Sequence, residues 1–174
     1  MSKLSVKKAI SQFTPEQLRG LILDIYTKYK DAKEFLDFFA DPDIEKTADR
    51  YREALNKEIY RVHHRQQSPR ISVIKRILKD FSNLEPGFEA ETTLRLEVLQ
   101  RLTKVGCANR STYRDTLFNG IGKFAADTCT FLERNGIIDE HIGIIREWVA
   151  DTRSPKSWLN GFYNILNSSI EPWK

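Results

Sequence analysis

Apolar positions recur along the chain at intervals of three and four residues. That is the period of a helix with one buried stripe, not the interval of two that a half-buried strand requires. The clearest stripe runs Leu18, Leu21, Ile22, Ile25, Tyr26 and Tyr29, with Glu16, Arg19, Asp24 and Lys28 lying off it. Thr14-Pro15-Glu16-Gln17 precedes it as a capping box, in which Gln17 is placed to reach back to the Thr14 N–H. Phe35, Leu36, Phe38 and Phe39 form a second cluster, on a continuation of this helix or on one that restarts near Asp31.

Prolines punctuate the pattern. Thr14-Pro15, Asp41-Pro42, Ser68-Pro69 and Ser154-Pro155 each pair a capping side chain with a ring whose fixed φ suits the first helical position, and Glu85-Pro86 is a weaker case. Asp41-Pro42 is expected to launch a long helix with the stripe Ile44, Ala48, Tyr51, Leu55, Ile59 and Val62, ending near Gln67 because the residue before a proline is pushed out of the α region. Ser68-Pro69 then starts a helix carrying Ile71, Ile74, Ile77, Leu78 and Phe81. From Pro86 to Val105 the apolar residues spread around more than one face, the mark of a central helix, and Gly106 is the expected stop. Asn109 or Ser111 caps a helix whose stripe is Tyr113, Leu117, Ile121, Phe124, Thr128, Phe131 and Leu132. It closes at Asn135-Gly136, and the internal Gly120 and Gly122 point to close helix contact. Ile138, Ile142, Ile145 and Val149 mark a short helix, and Trp158, Leu159, Phe162, Tyr163 and Leu166 the last one.

The expected fold is all-α: one domain of about seven to nine helices in antiparallel hairpins, as a bundle or a short repeat-like stack, with residues 168–174 as a C-terminal tail. Pro15, Pro42 and Pro69 fall 27 residues apart, but no side-chain pattern recurs with them, so the interval is not read as a repeat. At 174 residues the chain can bury a real core, and no apolar run approaches the length of a membrane span. Met1 to Ile10 lacks the apolar stretch of a secretory signal, so the expected compartment is the cytoplasm. There Cys107 and Cys129 read as small hydrophobes rather than a disulfide.

Charge adds one feature. Lys57, Arg61, Arg65, Arg70, Lys75, Arg76 and Lys79 stand against Glu58 alone, a local +6 in a chain of net charge +4. Lys57, Arg61 and Arg65 recur at i, i+4, i+8 and would face solvent on one helix, while Lys75, Arg76 and Lys79 lie off the stripe of the next. Merged, the two faces would hold phosphates in a salt-dependent way. Asp31 to Asp49 carries a local −5 able to neutralise the patch within the chain or across a dimer. Arg70 differs from the rest: its angle places it near the apolar side, where a buried carboxylate would pair with it.

Catalytic motifs do not emerge. His63-His64 would point about 100° apart on a helix, and neither has a ligand at i±3 or i±4, so no metal or cofactor is expected. Ser72-Val73-Ile74-Lys75 matches S-x-x-K, but its S-D-N and K-T-G partners are missing. All three tryptophans lie in the last 27 residues: Trp148 and Trp158 at core spacing, Trp173 as an interface anchor or a residue tucked into its own domain.

The Leu18 to Phe39 run with Tyr26, Tyr29 and its paired aromatics, the segment Arg70-Ile71-Ser72-Val73-Ile74-Lys75, and the turn Phe131-Leu132-x-x-Asn135-Gly136-Ile137-Ile138 together resemble an uncharacterised, mostly Bacteroidetes family of unknown function. The resemblance implies a bacterial helical protein and supplies no activity, cofactor or catalytic residue. The function expected is a non-enzymatic helical interaction module with a protein partner or self-association. The alternative is nucleic-acid association through the basic face on residues 57–79.

Overall fold

A computed structural model describes residues 2–109, 114–153 and 157–173. Among these the protein is all-helical apart from one two-stranded hairpin, and it divides into two compact units, residues 1–43 and 44–174.

The first unit contains α1 (Lys3–Ile10), α2 (Pro15–Lys28) and α3 (Lys30–Ala40). Helix α1 was not foreshadowed by any stripe; Ser2 caps it by accepting from the Ser5 N–H. The capping box of α2 forms as its residues dictate, with the Gln17 N–H bonded to Thr14 Oγ1 at 3.3 Å and the Thr14 N–H to Gln17 Oε1 at 2.9 Å. Tyr29 leaves the helical region at φ −123° and ψ 117°, so the aromatic cluster sits on a helix restarting at Lys30. The Tyr26 hydroxyl donates to Asp37 at 2.8 Å, tying α2 to α3.

The second unit comprises α4 (Ile44–Ile59), α5 (Ile71–Ser82), α6 (Phe88–Ala108), α7 (Arg114–Arg134), α8 (Ile138–Ala150) and α9 (Ser157–Ser169), followed by a 3₁₀ turn at Glu171–Trp173. Helix α6 buries residues around its circumference, from Leu94 and Val98 to Leu102 and Val105, and packs against α4, α5, α7, α8 and α9. It is the central helix that its dispersed apolar residues require.

Gly106 does not stop α6, which runs on to Ala108. Its missing side chain instead admits the Phe162 ring of α9: a Cβ there would lie 2.6 Å from Phe162 Cε1. Phe162 stacks in turn on Phe118 with centroids 4.4 Å apart, so the stripe of α7 centres on Phe118 while Leu117 stays partly exposed. Gly120 and Gly122 do mark close approaches, the first to Ile71 and the second to Ile165 and Ser169. At Gly136, φ is +72°; the Gly136 N–H bonds to Glu133 O and the Ile137 N–H to Leu132 O, the paired bonds of a Schellman end.

Among the described residues, Pro15 alone occupies the first position of an α-helix. Pro42, Pro69 and Pro86 each sit two residues before the first residue of α4, α5 and α6, where the ring fixes the entering chain and the next residue begins the helix boundary. Ser68 accordingly is not the cap of α5; Arg70 holds that position without a side-chain cap. The Ser154-Pro155 start and the Ser111 and Tyr113 assignments lie outside the described residues. The segment read as a tail is packed: α9 extends to Ser169 and Ile170 is buried.

Candidate functional site

The largest departure from expectation falls within the basic segment. Helix α4 ends at Ile59 rather than near Gln67, and residues 61–68 form a hairpin of β1 (Val62–His63) and β2 (Gln66–Gln67), in register Val62 to Gln67 and His63 to Gln66. A bond from the Ser68 N–H to Arg61 O at 2.8 Å extends the ladder. The helical face of Lys57, Arg61 and Arg65 therefore does not exist: Lys57 lies in the last turn of α4, Arg61 at the base of the hairpin and Arg65 at its tip. The physical reason is in the chain. Pro69 prevents a helix from continuing through Ser68, and pairing 61–68 to itself satisfies the backbone groups that a broken helix would leave open.

The turn between the strands is His64-Arg65, with φ of +48° and +63°, the positive pair that a type I′ turn needs. Asn-Gly is the usual choice there; a histidine and an arginine in this conformation carry backbone strain of about 1–2 kcal/mol per residue. The motif gives no sequence signal, and Val62, which continued the α4 stripe, is exposed on a strand instead.

Two of the seven cations are engaged. Arg70 Nε and Nη2 both bond to Glu58 at 2.7 Å, a bidentate pair with a carboxylate that is 15% exposed, although Arg70 itself sits exposed at the cap of α5 and not on the apolar side of a helix. Arg70, with Arg61 and Arg76 close by, holds the Glu58 carboxyl below its ordinary range against the opposing effect of burial. Lys75 turns to Asp127 of α7 at 2.5 Å. Neither acid belongs to the 31–49 segment. Among the described residues, Lys57, Arg61, Arg65, Arg76 and Lys79 form no ion pair, and Ser72, Arg76 and Lys79 share one exposed face of α5.

Beside this face lies an open cleft of about 970 Å³, walled by the hairpin, the start of α5, the end of α6 and the start of α7. His63, His64, Gln66, Ser72, Thr116 and Leu117 contribute to its lining, and the Asn109 amide fixes one wall by donating to Gln67 O at 2.7 Å. The two imidazoles meet edge to face with centroids 4.0 Å apart. Among the described residues no group of three His, Cys, Asp or Glu could hold a metal ion, and no helix is long and apolar enough to cross a membrane.

A second surface lies in α1–α3, where no residue is buried although the helices are amphipathic. Leu21, Ile22, Leu23 and Phe39 are all exposed, Phe39 by 75%. Trp173 is half-buried, and its carbonyl accepts from Arg146, near a smaller cleft of about 330 Å³ between α8 and α9. Cys107 is half-buried and Cys129 buried, both as free thiols; burial pushes the Cys129 thiol up to about 11.

A family described only as a family of unknown function (DUF6155) matches residues 1–168 of the chain. No curated protein and no solved structure matches it.

Proposed function

The chain belongs to that family of unknown function, so its role has to come from its own surfaces, and we propose a non-enzymatic helical protein-interaction module of the bacterial cytoplasm. The observation that carries the reading is the N-terminal unit: three helices without one buried residue, on which Leu4, Val6, Leu21, Ile22, Leu23 and Phe39 are exposed. Apolar area exposed in this way marks a surface that another protein covers, because each buried leucine or phenylalanine contributes about 1.5–3 kcal/mol once removed from water. The occupant is a protein surface with a complementary apolar groove, a second copy of this chain included.

The test compares the full chain with the double variant Leu21→Ser/Ile22→Ser, whose substituted positions are exposed. Sedimentation equilibrium reports self-association, and affinity capture from the source cell reports a foreign partner. The expected result is a dimer or a stoichiometric complex that the variant weakens about tenfold or more. A strict monomer that retains no polypeptide in preference to the variant overturns the reading.

A further inference from the structure

The hairpin and its cleft join two chemical features that no single element carries. Five cations that form no ion pair among the described residues, Lys57, Arg61, Arg65, Arg76 and Lys79, are distributed over the end of α4, the hairpin and one face of α5. The same two helices expose Glu45, Asp49, Glu53 and Asp80; of these Glu53 and Asp80 lie one turn from Lys57 and Arg76, while Glu45 and Asp49 lie nearer the start of α4, so the surface at the hairpin end stays positive. The adjoining cleft is different in character. Among the described residues its polar lining consists mainly of amides, hydroxyls and two imidazoles, and the arginine there, Arg70, is already committed to Glu58. A ligand that fits both features carries several phosphates in a row together with a flat, hydrogen-bonding ring.

From this juxtaposition we infer that the hairpin face binds single-stranded nucleic acid, with the phosphate backbone along Lys57, Arg61, Arg65, Arg76 and Lys79 and one base seated in the cleft against His63 and His64. Single-strand sites combine these parts: a positive track for the backbone and side-chain rings for the bases. The cleft volume lies in the range of small-ligand sites, which suits one unstacked nucleotide. A base held inside a duplex would not reach it. The left-handed His64-Arg65 turn gives the arrangement a local cause, since it sets a ring and a cation side by side at the tip at the expense of backbone strain. The inference is independent of the α1–α3 interaction surface and stands or falls separately.

Fluorescence anisotropy on the full chain tests it, with labelled oligouridylate, labelled oligothymidylate and a duplex of equal length as probes. Five backbone contacts give a log K against log salt slope of about −3.5 on a single strand, an affinity loss of about a hundredfold between 50 and 200 mM salt. Arg65→Gly keeps the positive φ and removes one charge, and its slope should be shallower by about 0.7. His63→Ala combined with His64→Asn, which also tolerates the turn, should weaken single-strand binding about tenfold while leaving the slope unchanged. The two oligonucleotides report whether a 2′-hydroxyl contributes; tight binding of either supports the inference. Circular dichroism confirms that each variant is folded. Absence of single-strand binding at low salt overturns the proposal. So does equal affinity for the duplex, or a histidine variant that binds as well as the parent chain.

Discussion

At the residue scale, glycines separate conformational need from steric need. Gly106 sits in the interior of α6 where a methyl group would overlap the Phe162 ring, whereas Gly143 sits in α8 with nothing within 4 Å of its absent Cβ. Alanine is better than glycine in any helix by about 1 kcal/mol, so the two substitutions start from the same gain. Gly143→Ala should keep it and raise the melting temperature. Gly106→Ala should lose it to overpacking and destabilise the protein by about 1–3 kcal/mol; equal effects in thermal denaturation would contradict the packing of α6 on α9. Glu58 gives a prediction in pH. Arg70 holds its folded-state pKa below the ordinary value of 4.5, so its contribution is complete above that value and is lost as pH falls through the folded pKa. Glu58→Gln should therefore lower stability at neutral pH and flatten the decline of the melting temperature below about pH 4.5. A variant whose acid limb parallels that of the parent would show that the pair does not persist in solution.

Between elements, the joint of α4 and α6 is polar at its edge. Arg52 Nε and Nη2 bond to Glu97 at 2.8 and 3.1 Å, and Arg101 bonds to Glu97 at 3.0 Å and to Asn56 at 2.7 Å, so one carboxylate joins two guanidinium groups. Glu97 is 28% exposed and Arg52 29%, which leaves the network partly shielded from water and worth more than a surface pair such as Arg19 with Glu16. Glu97→Ala leaves two facing positive charges without their shared acceptor and should cost about 2 kcal/mol in a urea melt. Glu16→Ala should change the midpoint by a small fraction of that. Indistinguishable midpoints would mean that α4 and α6 are held by their apolar stripes alone. The hairpin belongs to this scale too. Its existence depends on the pairing of 61–68 and on Pro69, not on a recognisable turn dipeptide, which is why periodicity carried the α4 helix too far.

For the whole molecule, burial is unevenly distributed between the two units. The second concentrates it around α6 and α7, where Val98, Leu102, Ile121 and Phe124 are essentially inaccessible, while α1–α3 bury none of their residues. Local opening is easiest where few apolar contacts resist it. Amide hydrogen exchange of the isolated chain should accordingly be slowest in the middle of α6 and α7 and much faster throughout α1–α3. A saturating partner for the N-terminal unit should slow exchange there. Uniform protection across both units would remove the physical basis for treating α1–α3 as an interaction surface.

The helical class, the positions of most helices, the capping box at Thr14 and the Schellman end at Gly136 follow from the chain itself. Each depends on neighbours within a few residues, and local sterics and hydrogen bonding are written in local sequence. Gly120 and Gly122 announced close approaches, but their partners Ile71, Ile165 and Ser169 came only with the fold. Arg70 does pair with a shielded carboxylate, but from the cap position outside α5 rather than from an angle on the helix, and its partner Glu58 belongs to α4. What tertiary structure decided is everything set by distant partners. These are the Phe162 ring that explains Gly106, the turning of Lys75 toward Asp127, and the hairpin that breaks the helical row of basic residues and opens a cleft beside them. A strained turn without glycine and a wall assembled from four elements have no local signature, because their stability comes from contacts that form only once the chain is folded.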